Sequence, residues 1–166
     1  MENNTIKIKI GILVENKGKL LLIKELNSKD GKYYWNIVKG TFEPDKDNNF
    51  LESAIRECKE EAGIEVKVTD LLNIMYLSDK TKDKYVIQFN FIASIKKGAL
   101  KLTEKDEQQE RNEDIIKLKF FSKNDLKKIK KNEFMNERAY LAVKEWLKNI
   151  RHDLKSIQFI YRGNKT

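Results

Sequence analysis

The hydrophobic and polar positions of this chain change period several times, and each change marks an element. Residues 5–14 alternate Ile-Lys-Ile-Lys-Ile and then turn apolar, which predicts a strand. Residues 15–19 are a turn in which Gly18 supplies the unusual dihedral. A short apolar strand at 20–23 follows, so the first two strands predict a hairpin. Residues 27–32 are a polar loop, and the aromatic and β-branched run 33–38 is a third strand.

The period then becomes helical. Leu51, Ala54, Ile55, Cys58 and Ala62 form an apolar stripe. Asn49 and Glu52 have the spacing of a capping box, and Gly63 stands where a left-handed residue would stop the helix. Residues 64–68 and 71–77 suggest one or two strands, 80–84 a turn, and 85–95 a long strand in which Val86, Gln88 and Asn90 alternate. Residues 96–111 read as a polar connection with room for a short strand at 100–102, and 115–121 as another strand. Ser122 caps a short helix through residue 129. Residues 133–150 are the most periodic segment: Phe134, Tyr140, Leu141, Val143, Trp146, Leu147 and Ile150 predict an amphipathic helix with its aromatic stripe in the core. Residues 157–161 fit a short strand or an ordered tail. Strands on both sides of the central helix, then two late helices, predict an α/β/α sandwich with a mixed β-sheet.

Length fits one domain over residues 1–166, with 151–166 as a C-terminal extension. The polar start Met1-Glu2-Asn3-Asn4 lacks a signal pattern, and no apolar run is long enough to span a membrane. The single Cys58 forms no intramolecular disulfide. Together these features predict a soluble cytoplasmic protein. The formal charge of +8 suits anionic partners, but heavy use of Lys, Asn and Ile with scarce Pro and Gly points more to compositional bias. The lysines of 127–131 alternate with apolar residues and read as the wet face of a helix.

Charge changes the picture at one place. Glu57, Glu60 and Glu61 stand at i, i+3 and i+4, neighbours on one helix face, where like charges repel. A hard divalent cation such as Mg²⁺ is the simplest remedy. The glutamate face lies about a third of a turn from the apolar stripe, so one side can pack on a sheet while the other faces a cleft.

Residues 40–64, with Arg56-Glu57-Cys58-Lys59-Glu60-Glu61-Ala62-Gly63-Ile64 at their core, resemble the box of the Nudix (MutT-like) hydrolase family, written Gly-x5-Glu-x7-Arg-Glu-U-x-Glu-Glu-x-Gly-U with U apolar. The second half matches at every position. In the first half Gly40 lies sixteen residues before Arg56 instead of fourteen, and the early Glu falls on Asn48, which leaves the local partner of Arg56 open. Upstream, Trp35 to Gly40 and the Glu43-Pro44 loop also fit.

The resemblance implies a Mg²⁺-dependent hydrolase, Mn²⁺ being an alternative. It would cleave the pyrophosphate bond of a nucleoside diphosphate linked to another moiety through metal-activated water. It implies metal ligands at Glu57, Glu60 and Glu61, with Glu60 and Glu61 foremost, completed by the carbonyl of Gly40. Arg56 would orient the box, pairing with Glu60 or with a phosphate. The general base would be a box glutamate or a carboxylate just before residue 115, where Glu110 and Glu113 stand. Lys39 could touch a phosphate. Tyr33, Tyr34, Trp35 and Phe42 border the expected cleft, and one of them could stack on a base. His152 is given no role, and Cys58 reads as a packed small hydrophobe.

Two other readings compete. A non-catalytic module of the same fold would bind a nucleotide or RNA, but it need not keep three clustered acids. An isopentenyl diphosphate isomerase needs a catalytic Cys outside the helix, and this chain has none. Neither the Pro nor the Tyr that marks some subfamilies past the box is present near residues 80–82, so the substrate stays open. No DNA-binding motif is visible.

Overall fold

The computed structural model describes residues 6–81 and 83–162. Expectations placed on residues 1–5, on Lys82 and on 163–166 lie outside the described residues. Seven strands form a mixed sheet: β1 (Ile6–Asn16), β2 (Lys19–Asn27), β3 (Lys32–Asn36), β4 (Val38–Thr41), β5 (Glu65–Asp79), β6 (Lys84–Lys97) and β7 (Ile115–Phe121). Among the described residues four α-helices accompany them: α1 (Phe50–Ala62), α2 (Lys105–Glu110), α3 (Lys123–Lys128) and α4 (Glu137–Leu147). Single 3₁₀ turns cover Lys131–Glu133 and Leu154–Ser156.

The β1–β2 hairpin opens almost at once. The two strands pair only at Glu15↔Leu20 and Asn16↔Lys19. Beyond that, β1 runs parallel to β6 over Ile6 to Glu15, while β2 pairs with β7. The chain expected as one strand at 33–38 fills the gap between the splayed arms. Its first half, β3, pairs with β2, and its second half, β4, pairs with β1. The break has a local cause: the Asn36 side chain accepts the Ile37 N–H at 2.9 Å, removing it from the ladder. The runs expected at 64–68 and 71–77 form one strand, β5 (Glu65–Asp79), and register shifts along it account for the two-run appearance of the sequence.

Alternate residues of the strands feed two cores. Ile10, Ile12, Leu21, Ile23, Val38 and Phe91 pack under α1 with Ala54, Cys58 and Ala62. Leu13, Leu20, Leu22, Ile37 and Ile92 pack on the other face with Leu126, Ala142, Val143 and Trp146 of α3 and α4. The last helix is shorter than 133–150 because Asn136 caps it, accepting the Ala139 N–H, while Phe134 stays outside it. Leu141, expected in its buried stripe, is exposed. Helix α2 was not expected, since its residues are almost all polar. Its one buried side chain, Gln108, accepts the Ile115 N–H at 2.6 Å and donates to the Thr103 carbonyl, which fixes the 111–114 loop.

The tail folds back. His152 exchanges both backbone hydrogen bonds with Leu71, Phe159 meets Phe50 edge-on, and Tyr161 Oη accepts from Asn49 Nδ2. Among the described residues no helix is long and apolar enough to cross a membrane.

The α1 termini follow their sequence signals. The Asn49 side chain accepts the Leu51 and Glu52 N–H groups, and Gly63 closes the helix at φ 70°. Glu52 reaches back to Asn48 rather than to Asn49, so the box is displaced by one residue. Asn49→Ala is expected to cost about 1 kcal/mol, read as a lower urea midpoint with an unchanged m-value, and Asn49→Asp to restore most of it.

Candidate active site

Helix α1, strand β4, the end of β2 and the 110–114 loop converge on a cavity of about 570 Å³. Two glutamates one turn apart on α1 project into it. Glu57 lies directly against the Cα of Gly40: a Cβ there would stand 1.8 Å from the carboxyl carbon. Gly40 is thus required by the Glu57 side chain, which would otherwise be displaced. One residue before it, the Lys39 N–H donates to Glu61 Oε2 at 3.0 Å. Glu113 arrives from the loop after α2, and its ligating oxygen lies within 4.8 Å of those of Glu57 and Glu61.

A web of charges holds this cluster in place. Arg56 grips Asp47 with two 2.8 Å bonds, from Nε and from Nη2. Its Nη1 reaches Glu57 at 2.8 Å and Glu60 at 3.0 Å. Asp47 is buried and fills the partner position left open by Asn48, which is exposed. The longer loop before α1 makes this possible by curling residues 43–47 into a turn whose backbone bonds close on Glu43. Lys39 Nζ sits 3.1 Å from the buried Glu25 and 4.0 Å from Glu61, and Asn36 donates to Glu25 at 2.6 Å. Arg111 holds Glu113 at 3.0 Å and also donates to the Glu60 carbonyl and the Thr103 hydroxyl.

Burial dominates the electrostatics. It pushes the Glu57 carboxyl up to about 7 against the pull of Arg56. It raises Glu61 well above the usual carboxylate range, and it raises Glu113 as well. Lys39 goes the other way: burial would lower it, but Glu61 and Glu25 outweigh burial and hold it protonated. Hydrogen bonding to Asp47 raises the Arg56 guanidinium further. Glu61 Oε1 is buried and has no hydrogen-bond partner. An unpartnered carboxylate oxygen beside two more carboxylates is a donor set for a hard divalent cation, and the residues therefore fit one.

The expected residues divide. Glu57, Glu60, Glu61, Arg56, Lys39, Gly40, Glu110 and Glu113 all line the cavity. Within it Glu60 stands apart from the three-carboxylate cluster and pairs with Arg56, while Glu110 is exposed at the rim. Trp35 and Phe42 do not border the cavity. Trp35 packs edge-on against Phe121 on the α4 side, and Phe42 edge-on against Phe50 under α1. Tyr33 and Tyr34 likewise lie outside its lining and donate their hydroxyls to Asp114 and Asp30. Cys58 is buried, and burial pushes its thiol up. Asp47, Glu25, Lys9 and Arg111 were not anticipated. Only Arg111 carried a signal, as a cation two residues from Glu113.

The NUDIX domain profile matches residues 6–142, and the chain belongs to that family. A NUDIX hydrolase from Nitrosomonas europaea superposes with a TM-score of 0.76 at 17% identity, covering 94% of this chain and 98% of that one. A MutT NUDIX hydrolase from Burkholderia pseudomallei gives 0.64 at 20% identity, covering 85% and 98%. An ADP-ribose pyrophosphatase from Streptococcus suis gives 0.61 at 19%, covering 87% and 92%. No curated protein matches the chain in sequence.

The raised carboxyls fix a pH dependence. A carboxyl with a raised folded pKa stabilises the fold relative to its ionised form below its unfolded value, near 4.5, and that stability is lost as pH rises through about 7. With divalent ions chelated, unfolding free energy is expected to fall between pH 5 and pH 8, with Glu57 contributing on the order of 3 kcal/mol. Urea titrations at successive pH values measure it, and Glu57→Gln should remove its share of the slope while leaving that of Glu61 and Glu113.

Proposed function

We propose that this Nudix chain is a hydrolase that cleaves the pyrophosphate bond of a nucleoside diphosphate linked to another moiety. It would use Mg²⁺, or Mn²⁺ in its place, held by Glu57 and Glu61 beside Glu113. The observation that carries this reading is the cluster of two buried carboxylates and the half-buried Glu113, with a Glu61 oxygen that has no hydrogen-bond partner, opening onto a charged cavity. When bound, the ion supplies positive charge to the diphosphate oxygens and acidifies water in the site.

The protein's own groups do the rest. Lys39, kept protonated by Glu25 and Glu61, offers its ammonium to a phosphate oxygen. Arg56, fixed by Asp47 and Glu60, holds the Glu57 carboxylate in place and acts as a positioning residue. Glu113 is the proposed general base. It comes from a different element than α1 and is steadied by Arg111. In the reaction the water oxygen bonds to one phosphorus, and the bridging P–O bond breaks toward the other phosphate. The released proton passes to the Glu113 carboxylate and then to solvent. Glu110, at the rim, is the weaker candidate because it is exposed and outside the cluster. With no aromatic among the lining residues, base stacking by Trp35 or Phe42 has no place in the scheme.

Incubation with a nucleotide panel and Mg²⁺, followed by detection of phosphate, pyrophosphate and nucleoside monophosphate, tests the proposal. Turnover is expected, and Glu61→Gln should abolish both turnover and the thermal stabilisation given by Mg²⁺. Glu113→Gln should lower kcat by roughly 10² to 10⁴, with Glu110→Gln far milder. Nucleotide binding without turnover that survives Glu61→Gln would instead identify a non-catalytic binding module.

A further inference from the structure

β5 and β7 each have one strand neighbour among the described residues, β6 and β2 respectively, and their outer margins are built differently. β7 is seven residues long and carries the exposed Lys117 and Lys119. Short edge strands with lysines resist pairing with another chain. β5 runs for fifteen residues. Its residues 71–78, Leu-Leu-Asn-Ile-Met-Tyr-Leu-Ser, include no charged side chain in a chain that is 36% charged. Leu71 spends its outer backbone groups on His152. From Asn73 to Ser78 no other strand or bridge of the described residues lies along that margin.

The side chains along the open margin are apolar as well. Ile74 and Tyr76 stand in register with Phe89 and Ile87, on the face that carries α1. Even so, Ile74 is 55% exposed and Tyr76 66%. Ile87 pairs in turn with Ile8, and Ile6, two residues earlier on β1, is 54% exposed. Helix α1 thus leaves bare an apolar strip that ends at an unpaired strand, the combination that marks an interaction site.

This margin is complementary to itself. Two antiparallel copies of β5 with a two-fold axis at Met75 set Ile74 of each against Tyr76 of the other, and Met75 against its own counterpart. Cross-strand pairs of an aromatic and a β-branched residue stabilise a sheet. The ends match too. Asp70, 3.4 Å from Arg151, precedes the uncharged run, and Asp79 and Lys80 follow it. Reversing one copy brings Lys80 toward Asp70 and Asp79 toward Arg151, at both ends. Chains of net charge +8 repel one another in general, but here they meet without opposing like charges.

We infer that this chain forms a two-fold dimer in which β5 pairs antiparallel with β5 of a second copy, joining the two sheets edge to edge. No β5 residue lines the cavity, so the contact does not depend on what the cavity binds.

Sedimentation equilibrium of the full chain over a concentration series tests the dimer. Wild type should associate to a dimer. Ile74→Lys and Tyr76→Lys enter the interface twice each and should weaken association on the order of tenfold or more. Both side chains are already exposed, so urea unfolding at dilutions where wild type is monomeric should be unchanged. A cysteine at the axis tests the register. Paired Cα atoms about 4.5–5.5 Å apart lie within disulfide reach, so oxidised Met75→Cys should crosslink two copies, whereas Ser78→Cys, well off the axis, should not. The native Cys58 is buried and does not compete. Wild type that stays monomeric at its highest soluble concentration, or a dimer that survives both lysine variants, overturns the inference. Crosslinking through Ser78→Cys but not through Met75→Cys overturns it as well.

Discussion

The contact between the Glu57 carboxylate and the bare Cα of Gly40 sets most of the local architecture. It lets β4 approach α1 closely enough for the Lys39 N–H to reach Glu61 on the next turn. That approach removes both carboxylates from water and raises their pKa values. The chain surrounds the acids with cations but does not neutralise them. Arg56 is shared among Asp47, Glu57 and Glu60, and Lys39 between Glu25 and Glu61, and Glu61 Oε1 still has no hydrogen-bond partner. A buried oxygen left without a partner costs on the order of 1–3 kcal/mol, so the arrangement sacrifices stability in the ion-free state to keep ligands in position.

What could be read from the residues follows the range of the interactions concerned. Helix α1 was legible to within a residue, because its caps, stripe and acidic face all depend on contacts within four positions. The β3–β4 run was not, because its split depends on which arm of the opened hairpin each half meets. Helix α2 has no apolar period to announce it and is anchored by one buried glutamine. Asp47 is the instructive case. Counting along the box gave Asn48, yet a loop with two extra residues can present either neighbour, and only the carboxylate satisfies a guanidinium.

The aromatic residues show the same limit in another form. Trp35 and Phe42 are near the box in sequence, and alternation alone leaves open which of the four aromatic residues there face the core. Alternation along the strands sends Trp35 to the α4 core and Phe42 under α1. Glu57, Glu60 and Glu61 looked equivalent as a set. Rotation about the helix axis buries the first and last, while Glu60 remains partly exposed beside Arg56.

The opened hairpin also explains why the cavity has chemically distinct walls. Had β1 and β2 paired along their full length, β3 and β4 could not lie between them. Gly40 and the Lys39 N–H would not then reach the α1 glutamates. The splay gives one cavity access to both faces of the sheet. Acids enter it from α1 and the 110–114 loop, while Lys9 belongs to the face covered by α4. With only Leu26 and Met135 as larger apolar residues in the lining, little apolar area is available for binding. Discrimination among ligands in such a site falls to the placement of charge.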